Sequence, residues 1–410
     1  MRILWVKAGK LLPVDTGGKI RSYNLLRQLA TRHELVLLSY YGDQRDDTYE
    51  RDIRTHLPGA ETIHTGVPGA SAWHYARHIA SAAPYAVTKF TAPSVREWVT
   101  RALHERRFDV AVCDFLSASL NFPPVSPTPT VLFQHNVESI LWQRQARHEP
   151  NPFKRAAFTI EAAKMARYER AALRRFGHVI AVSDRDADSM AAMVERGKIS
   201  VVPTGVDVAQ YFKAAGVEAE RPVVLFLGSM DWEANVDAVD YFCASIWPAV
   251  RAAVPDARFT IVGRNPHPRV RALASESVEI TGTVPSVVDY LEQTAVFVVP
   301  LRVGGGTRLK IFEAMAAGRA VVSTSIGAEG LDVVHDRDVL LADTAPEFAN
   351  AVIRLLKDRE RRRQLETAAI QTATRHDWPA IAAEFARVLG RAAVEQPAAA
   401  KTTQIVQARA

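Results

Sequence analysis

The chain alternates short continuous apolar runs with longer stretches in which apolar residues return every three or four positions. In the first half the runs are RILWV (2–6), ELVLLSY (34–40), VAVCDF (110–115), TVLFQHN (130–136) and HVIAVS (178–183). In the second half they are VVLFLG (223–228), RFTIVG (258–263), VEITG (278–282), VFVVPL (296–301), AVVST (320–324) and VLLA (339–342). Each run predicts a strand. Most are apolar throughout rather than alternating, so their sheets are expected to be parallel, buried on both faces and joined by crossover helices. The stretch from Gly18 to Thr31 and the segment DWPAIAAEFARVLGRAA (377–393) predict helices.

This punctuation divides the chain. The polar, irregular segment from Val206 to Pro222 interrupts the pattern before a fresh βαβ series begins. The expected organisation is a Rossmann-like domain over 1–205, a linker over 206–221 and a second Rossmann-like domain over 222–376. A helix over 377–393 returns to the first domain, and 394–410 is a small, polar, disordered tail. The total of 410 residues suits two domains.

Charge adds an asymmetry. Residues 1–200 carry 28 Lys+Arg against 20 Asp+Glu, while the remainder carries 23 against 25. The excess concentrates between Arg144 and Arg175, a face for anionic lipid or nucleic acid, or else a solvated helix surface. No apolar run is long enough to span a bilayer, and the opening run stops at Lys7. The two cysteines, Cys113 and Cys243, match no metal or disulfide spacing. A cytoplasmic protein is expected. The 12 histidines are scattered, with no H-E-x-x-H, and no essential metal is expected.

The candidate chemistry lies at strand ends. In VPLRVGGGTRLKIFEAMAAGRAVVST (299–324) a buried strand runs into three glycines and then a helix. Glycines allow close backbone approach, and a helix N-terminus favours an anion. Arg308 and Lys310 add charge, so a diphosphate is the natural occupant, with Gly305, Gly306 and Thr307 around it. Glu313, two turns into the helix, suits the hydroxyls of a ribose, or else pairs with Lys310 on the surface. The turn PVDTGGKIRSYNLL (13–26) repeats the pattern with Gly17, Gly18, Lys19 and Arg21. His135 and Asn136 end a buried strand, where imidazole and amide suit sugar hydroxyls. Gly228 ends the first strand of the second series.

Together these segments resemble glycosyltransferase family 4, of the GT-B fold, over residues 1–390 or so. The most specific part is GGGTRLKIFEAMAAGRAVVST, supported by HVIAVS, VVPTGVD, GSMDWEAN and VEITGTVPSVVDYL. DTGGKIRSYNLLRQLA and HNVE are similar to the sugar transferases of bacterial exopolysaccharide clusters. The resemblance implies two Rossmann-like domains facing across a cleft and a metal-independent, retaining hexosyltransferase. The donor is a nucleotide-sugar and no cofactor is needed; the acceptor is a glycan or lipid-linked. Peripheral contact with the inner face of an anionic membrane is a further expectation, and no nucleic-acid partner is expected. Carried over, Glu313 binds the donor ribose, the amides near Gly305, Gly306 and Thr307 face sugar and phosphates, and His135 faces the transferred sugar. Gly17 and Gly18 let phosphate and acceptor approach.

Two positions depart from the family pattern. Gly305 stands where an E-x7-E pair has its first Glu, and Ser229 and Ala234 stand where an Arg and a Lys are usual. Arg308 and Lys310 are then the expected phosphate cations. A nucleotide-sugar 2-epimerase of the same fold, and a catalytically silent sugar-nucleotide-binding protein, are the alternative readings.

Overall fold

The computed structural model describes residues 1–66, 81–212, 214–215, 221–303 and 309–395, apart from the side chains of 148 and 395. These residues form two compact units: Met1–Pro203 joined by the chain from Ile381, and Thr204–Ala380. The expected tail from 396 onward lies outside the described residues.

The first unit is built on a seven-stranded parallel sheet. Its strands are β1 (Arg2–Ala8), β2 (Glu34–Tyr41), β3 (Ala60–His64), β4 (Val110–Asp114), β5 (Thr130–Phe133), β6 (His178–Ala181) and β7 (Ile199–Val201). They lie in the order β3-β2-β1-β4-β5-β6-β7. The chain winds one way from β1 to β3 and the other way from β4 on, so a switch point falls between β1 and β4. Ile3, Leu4, Trp5 and Val6 are wholly buried, as the uninterrupted apolar run requires. The strands not anticipated are β3 and β7, the two edges. Ala-Glu-Thr-Ile-His and Ile-Ser-Val are short and only partly covered, so they carry no apolar run.

The second unit carries a six-stranded parallel sheet, β8 (Val223–Leu227), β9 (Arg258–Val262), β10 (Val278–Gly282), β11 (Val296–Val299), β12 (Ala320–Ser323) and β13 (Leu340–Leu341). The order is β10-β9-β8-β11-β12-β13, with its switch point between β8 and β11. The stretch read as a linker is built into this unit at its start. Val206 bridges to Asp377, and Tyr211, on the short helix Val208–Tyr211, is buried in the core. Arg319 is buried too. Its guanidinium donates to the carbonyls of Ala317, Thr294 and Ala214, which compensates its loss of water.

Several predicted strands overshoot the observed ones. The ladders of β4, β5, β6 and β11 stop at Asp114, Phe133, Ala181 and Val299. The residues beyond keep the composition of a strand but turn out of the sheet into loops.

The last helix is Trp378–Glu395. From Ile381 on it belongs to the first unit. Phe385 is fully buried, its ring centroid 5.4 Å from Trp5 and 5.0 Å from Phe133. Phe385→Ala is expected to destabilise the first unit by ~3–5 kcal/mol, the cost of an aromatic truncated in a close-packed core. Hydrogen exchange of the β1 amides against denaturant measures this. Protection equal to wild type would mean that the helix does not hold the sheet.

Candidate functional site

In the first unit polar side chains converge at the carboxyl ends of β1, β4 and β5. Lys7 near the end of β1, Asp114 at the end of β4 and His135 just beyond β5 are all buried. The helix Gly17–Ala30 after β1 adds Arg21 and Ser22, also buried. Asp114 Oδ2 accepts from Lys7 Nζ at 3.0 Å and Ser22 Oγ at 2.7 Å, and its Oδ1 lies 2.8 Å from His135 Nε2. The second imidazole nitrogen, Nδ1, is buried and has no hydrogen-bond partner among the described residues.

Aromatic rings fix the imidazole. Phe115 stacks on it at 3.7 Å between centroids and 16° between planes, and Phe133 lies 4.2 Å away. Phe115 has a backbone φ of 67°, a region that a bulky side chain occupies at a cost of ~1–3 kcal/mol. Gly18 makes room for it, since a Cβ there would stand 2.6 Å from Phe115 Cζ.

Burial favours neutral groups, and charges decide the exceptions. For Asp114 burial pushes the carboxyl up, but Lys7 and the bonds from His135 and Ser22 outweigh it, holding it well below the usual range. Burial carries His135 down to about 3, against the pull of Asp114 and with Arg21 and Lys7 reinforcing the fall. Arg21 falls to about 10 through burial, partly offset by Asp186 and Asp114. Lys19, by contrast, bonds Asp15 Oδ1 at 2.9 Å and the Pro13 carbonyl at 3.1 Å, so it staples its own loop. Gly17 is the first residue of the helix.

The loop that carries His135 is fixed from behind. Glu169, buried on the helix Pro152–Arg175, accepts from the backbone N–H of Glu138 (2.8 Å) and Ser139 (3.1 Å), from Ser139 Oγ (2.5 Å) and from Gln134 Nε2 (3.0 Å). It caps the helix Glu138–His148, whose N-cap Val137 has no side chain for the task.

In the second unit the corresponding strand end is that of β8. Lys310, on the helix Leu309–Ala316, donates to Asn235 Oδ1 at 3.0 Å and stands 4.3 Å over the Phe226 ring. Gly228 permits this: a Cβ there would meet Asn235 Nδ2 at 2.6 Å and Lys310 Nζ at 2.8 Å. Asn235 Nδ2 also donates to the Ser229 carbonyl at 2.8 Å, and Arg264 Nε donates to Ser229 Oγ at 2.9 Å. One helical turn beyond Lys310, Glu313 is raised by burial, against a hydrogen bond with Tyr211 and the charge of Lys310. Gly305, Gly306, Thr307 and Arg308 lie outside the described residues.

The structure thus joins His135 with Arg21, and Gly228 with Lys310, each within its own unit. Lys7, Ser22, Asp114 and Asn235 are the partners that the sequence reading missed. The signal was present in two of them: a lysine follows the apolar run ILWV and an aspartate closes the fully buried run VAVCD. No cluster of three or more His, Cys, Asp or Glu suited to a metal occurs among the described residues, nor does a helix able to cross a membrane.

Comparison with known proteins follows this geometry. Residues 16–210 match the family described as Glycosyltransferase Family 4, and residues 221–358 match Glycosyl transferases group 1. A phosphatidyl-myo-inositol mannosyltransferase of Mycolicibacterium smegmatis is 31% identical over 198 residues, covering 46% of this chain and 50% of the relative. A 44.6 kDa protein of the cps region of Klebsiella pneumoniae is 22% identical over 62% of this chain and 66% of its own length. The chain thus spans about half the length of the mannosyltransferase and two thirds of the cps-region protein. Among solved structures, a sucrose-phosphate synthase of Thermosynechococcus elongatus superposes with a TM-score of 0.67 at 16% identity, over 95% of this chain and 98% of that one. The HepE protein of Anabaena in complex with UDP-glucose gives 0.65 at 16%, over 95% and 100%.

The loop behind His135 generates a pH prediction. Glu138, half-buried, is pushed up to about 7 by burial and then by Glu169. The fold therefore favours its protonated form. That contribution is complete below the ordinary glutamate value near 4.5 and is lost as pH rises through about 7. Glu138→Gln stays neutral at every pH and is expected to abolish the loss. Unfolding free energies of the two proteins should diverge between these limits, with the variant the more stable at alkaline pH. Parallel curves would mean that Glu138 ionises freely.

Proposed function

We propose that this chain, which belongs to the family 4 glycosyltransferases and has their GT-B architecture, transfers a hexosyl unit from a nucleotide-sugar to a lipid-linked or polysaccharide acceptor, with retention of anomeric configuration. The observation that carries the reading is the cluster of Gly228, Asn235, Lys310 and Glu313 at a strand end of the unit that matches the group 1 glycosyl transferases. Lys310 supplies a fixed cation for a diphosphate, and Glu313 stands one turn further along the same helix for the ribose hydroxyls. The UDP-glucose complex of HepE makes a uridine nucleotide the first to test. A mannosyltransferase named for a phosphatidylinositol supports a lipid-linked acceptor, and a relative from a cps region supports a role in exopolysaccharide or cell-surface glycan synthesis.

The chemistry asked of the protein is charge stabilisation and positioning. Departure of the nucleoside diphosphate leaves an oxocarbenium-like sugar, and Lys310 neutralises charge growing on the leaving phosphate without requiring a metal. The leaving oxygen takes the acceptor proton as the hydroxyl attacks the same face. In the first unit, His135 offers an imidazole nitrogen to a sugar hydroxyl.

Calorimetry with UDP, GDP and ADP, followed by transfer assays in EDTA, tests this reading. Lys310→Ala is expected to weaken binding of the preferred diphosphate by ~1–3 kcal/mol. Glu313→Gln is expected to erode the preference for a ribonucleotide over its 2′-deoxy form. Wild-type affinity and discrimination in both variants would place the nucleotide elsewhere.

The lipid-linked acceptor makes a second demand, contact with a membrane surface, and here the structure narrows the basic stretch. Arg175 donates to the Ser119 carbonyl, Arg174 to the Met193 carbonyl and Arg167 to the Ala82 carbonyl, so these cations serve their own unit. Trp142 and Phe158 pack on each other edge to face at 5.9 Å. Phe153, 86% exposed beside exposed Lys154, remains as the anchor, and Arg155 next to it is exposed while it donates to the Pro150 carbonyl at 3.4 Å. Each such cation near an anionic leaflet contributes about 1 kcal/mol. Sedimentation with phosphatidylserine vesicles is expected to fall in the triple variant Phe153→Ser, Lys154→Gln, Arg155→Gln and in high salt. Equal sedimentation with neutral and anionic vesicles would remove the membrane from the proposal.

A further inference from the structure

We infer that Asp114 is a positioning residue: it locks His135 as the Nε2–H tautomer, so that Nδ1 is a fixed hydrogen-bond acceptor reading a hydroxyl of the sugar. The hydroxyl's owner rests on the proposed function; the lock itself does not.

Asp114 is fully buried, and a buried carboxylate persists only where donors compensate it. Two of them share Oδ2. Lys7 Nζ is a donor with nothing to accept, at 3.0 Å, and Ser22 Oγ stands at 2.7 Å. With the ammonium beside it the carboxylate is ionised, so Oδ1 has only lone pairs to offer. His135 Nε2 at 2.8 Å from Oδ1 must therefore bring the hydrogen. In a neutral imidazole the other nitrogen is then a bare lone pair.

Three further observations keep it so. The ring cannot exchange its nitrogens by rotation without losing Asp114 and the stack on Phe115 at 3.7 Å. A proton on Nδ1 would create a third buried cation alongside Lys7 and Arg21, the groups that face the imidazole from β1 and from the helix Gly17–Ala30. Among the described residues nothing donates to Nδ1, which is buried. An orphaned buried acceptor in an otherwise satisfied network marks a place where a ligand supplies the missing hydrogen. A sugar hydroxyl supplies one. A carboxylate, an ether or a deoxy position does not, and each would leave Nδ1 unpaired, which is the stronger kind of discrimination.

The tautomer is directly readable. In protein labelled with ¹⁵N-histidine, long-range proton–nitrogen correlations distinguish Nε2–H from Nδ1–H, and His135→Gln identifies the signals. Wild type is expected to show a single Nε2–H form from about pH 5.5 to about 8. In Asp114→Asn the amide oxygen turns to Lys7 and the NH₂ to Nε2, which moves the hydrogen to Nδ1. Turnover is expected to fall at least ~100-fold, with donor KM changed far less. Should that variant not fold, Lys7→Gln serves. It leaves the carboxylate in place, and His135 is expected to protonate at a higher pH than in wild type as an opposing charge is removed. A wild-type Nδ1–H form, an imidazolium near neutral pH, an unchanged tautomer in Asp114→Asn, or an unmoved His135 titration in Lys7→Gln would overturn the assignment. These spectra need no substrate. A protein that transfers no sugar but shows the locked tautomer would refute the function and keep the lock. An active enzyme with the opposite tautomer would do the reverse.

Discussion

A parallel sheet covered on both faces leaves its polar chemistry nowhere to go but the strand ends. Every residue of β4, β5 and β6 in the first unit is buried, and likewise every residue of β11 and β12 in the second. Carbonyl and amide groups inside these sheets are consumed by the ladder. Buried charged side chains in these sheets lie where the ladder stops or one residue short of it. Lys7, Asp114 and His135 in one unit, and Gly228 with its neighbours Asn235 and Lys310 in the other, all gather at strand ends.

The two units solve the same problem differently. The first buries full charges and satisfies them among themselves, so its geometry is set before any ligand arrives. Such networks tolerate little. Removing one member strands another in a medium that cannot solvate it. The second unit keeps its cation on a short amide tether beside a glycine and an aromatic ring. Asn235 and the ring hold that ammonium in place as a point charge at the strand end.

Much of this was legible in advance. Eleven of the strands stand out as apolar runs because burial on both faces leaves no other composition. His135 and Gly228 were legible because both close such runs. The edge strands β3 and β7 were not, since half-covered strands share their composition with loops. Asp114 was hidden for a different reason. Its meaning depends on Lys7, 107 positions away, and on Ser22, 92 positions away, and a pairing across such separations leaves no local pattern. Lys19 is ambiguous in the sequence because a lysine beside a glycine pair reads the same whether it meets a ligand or its own loop.

The placement of Phe385 has a consequence for how the chain is made. The apolar face around Trp5 and Phe133 is covered by a residue that leaves the ribosome about 250 positions after Phe133. At roughly 5–20 residues per second, that face stays open on the order of 10 to 50 seconds. Meanwhile the whole of Thr204–Ala380, a contiguous unit with its own core, emerges and can fold. The order of maturation is therefore inverted relative to the order of synthesis. The unit begun first is finished last, and the ring system at its centre is the surface that a nascent-chain chaperone would shield longest.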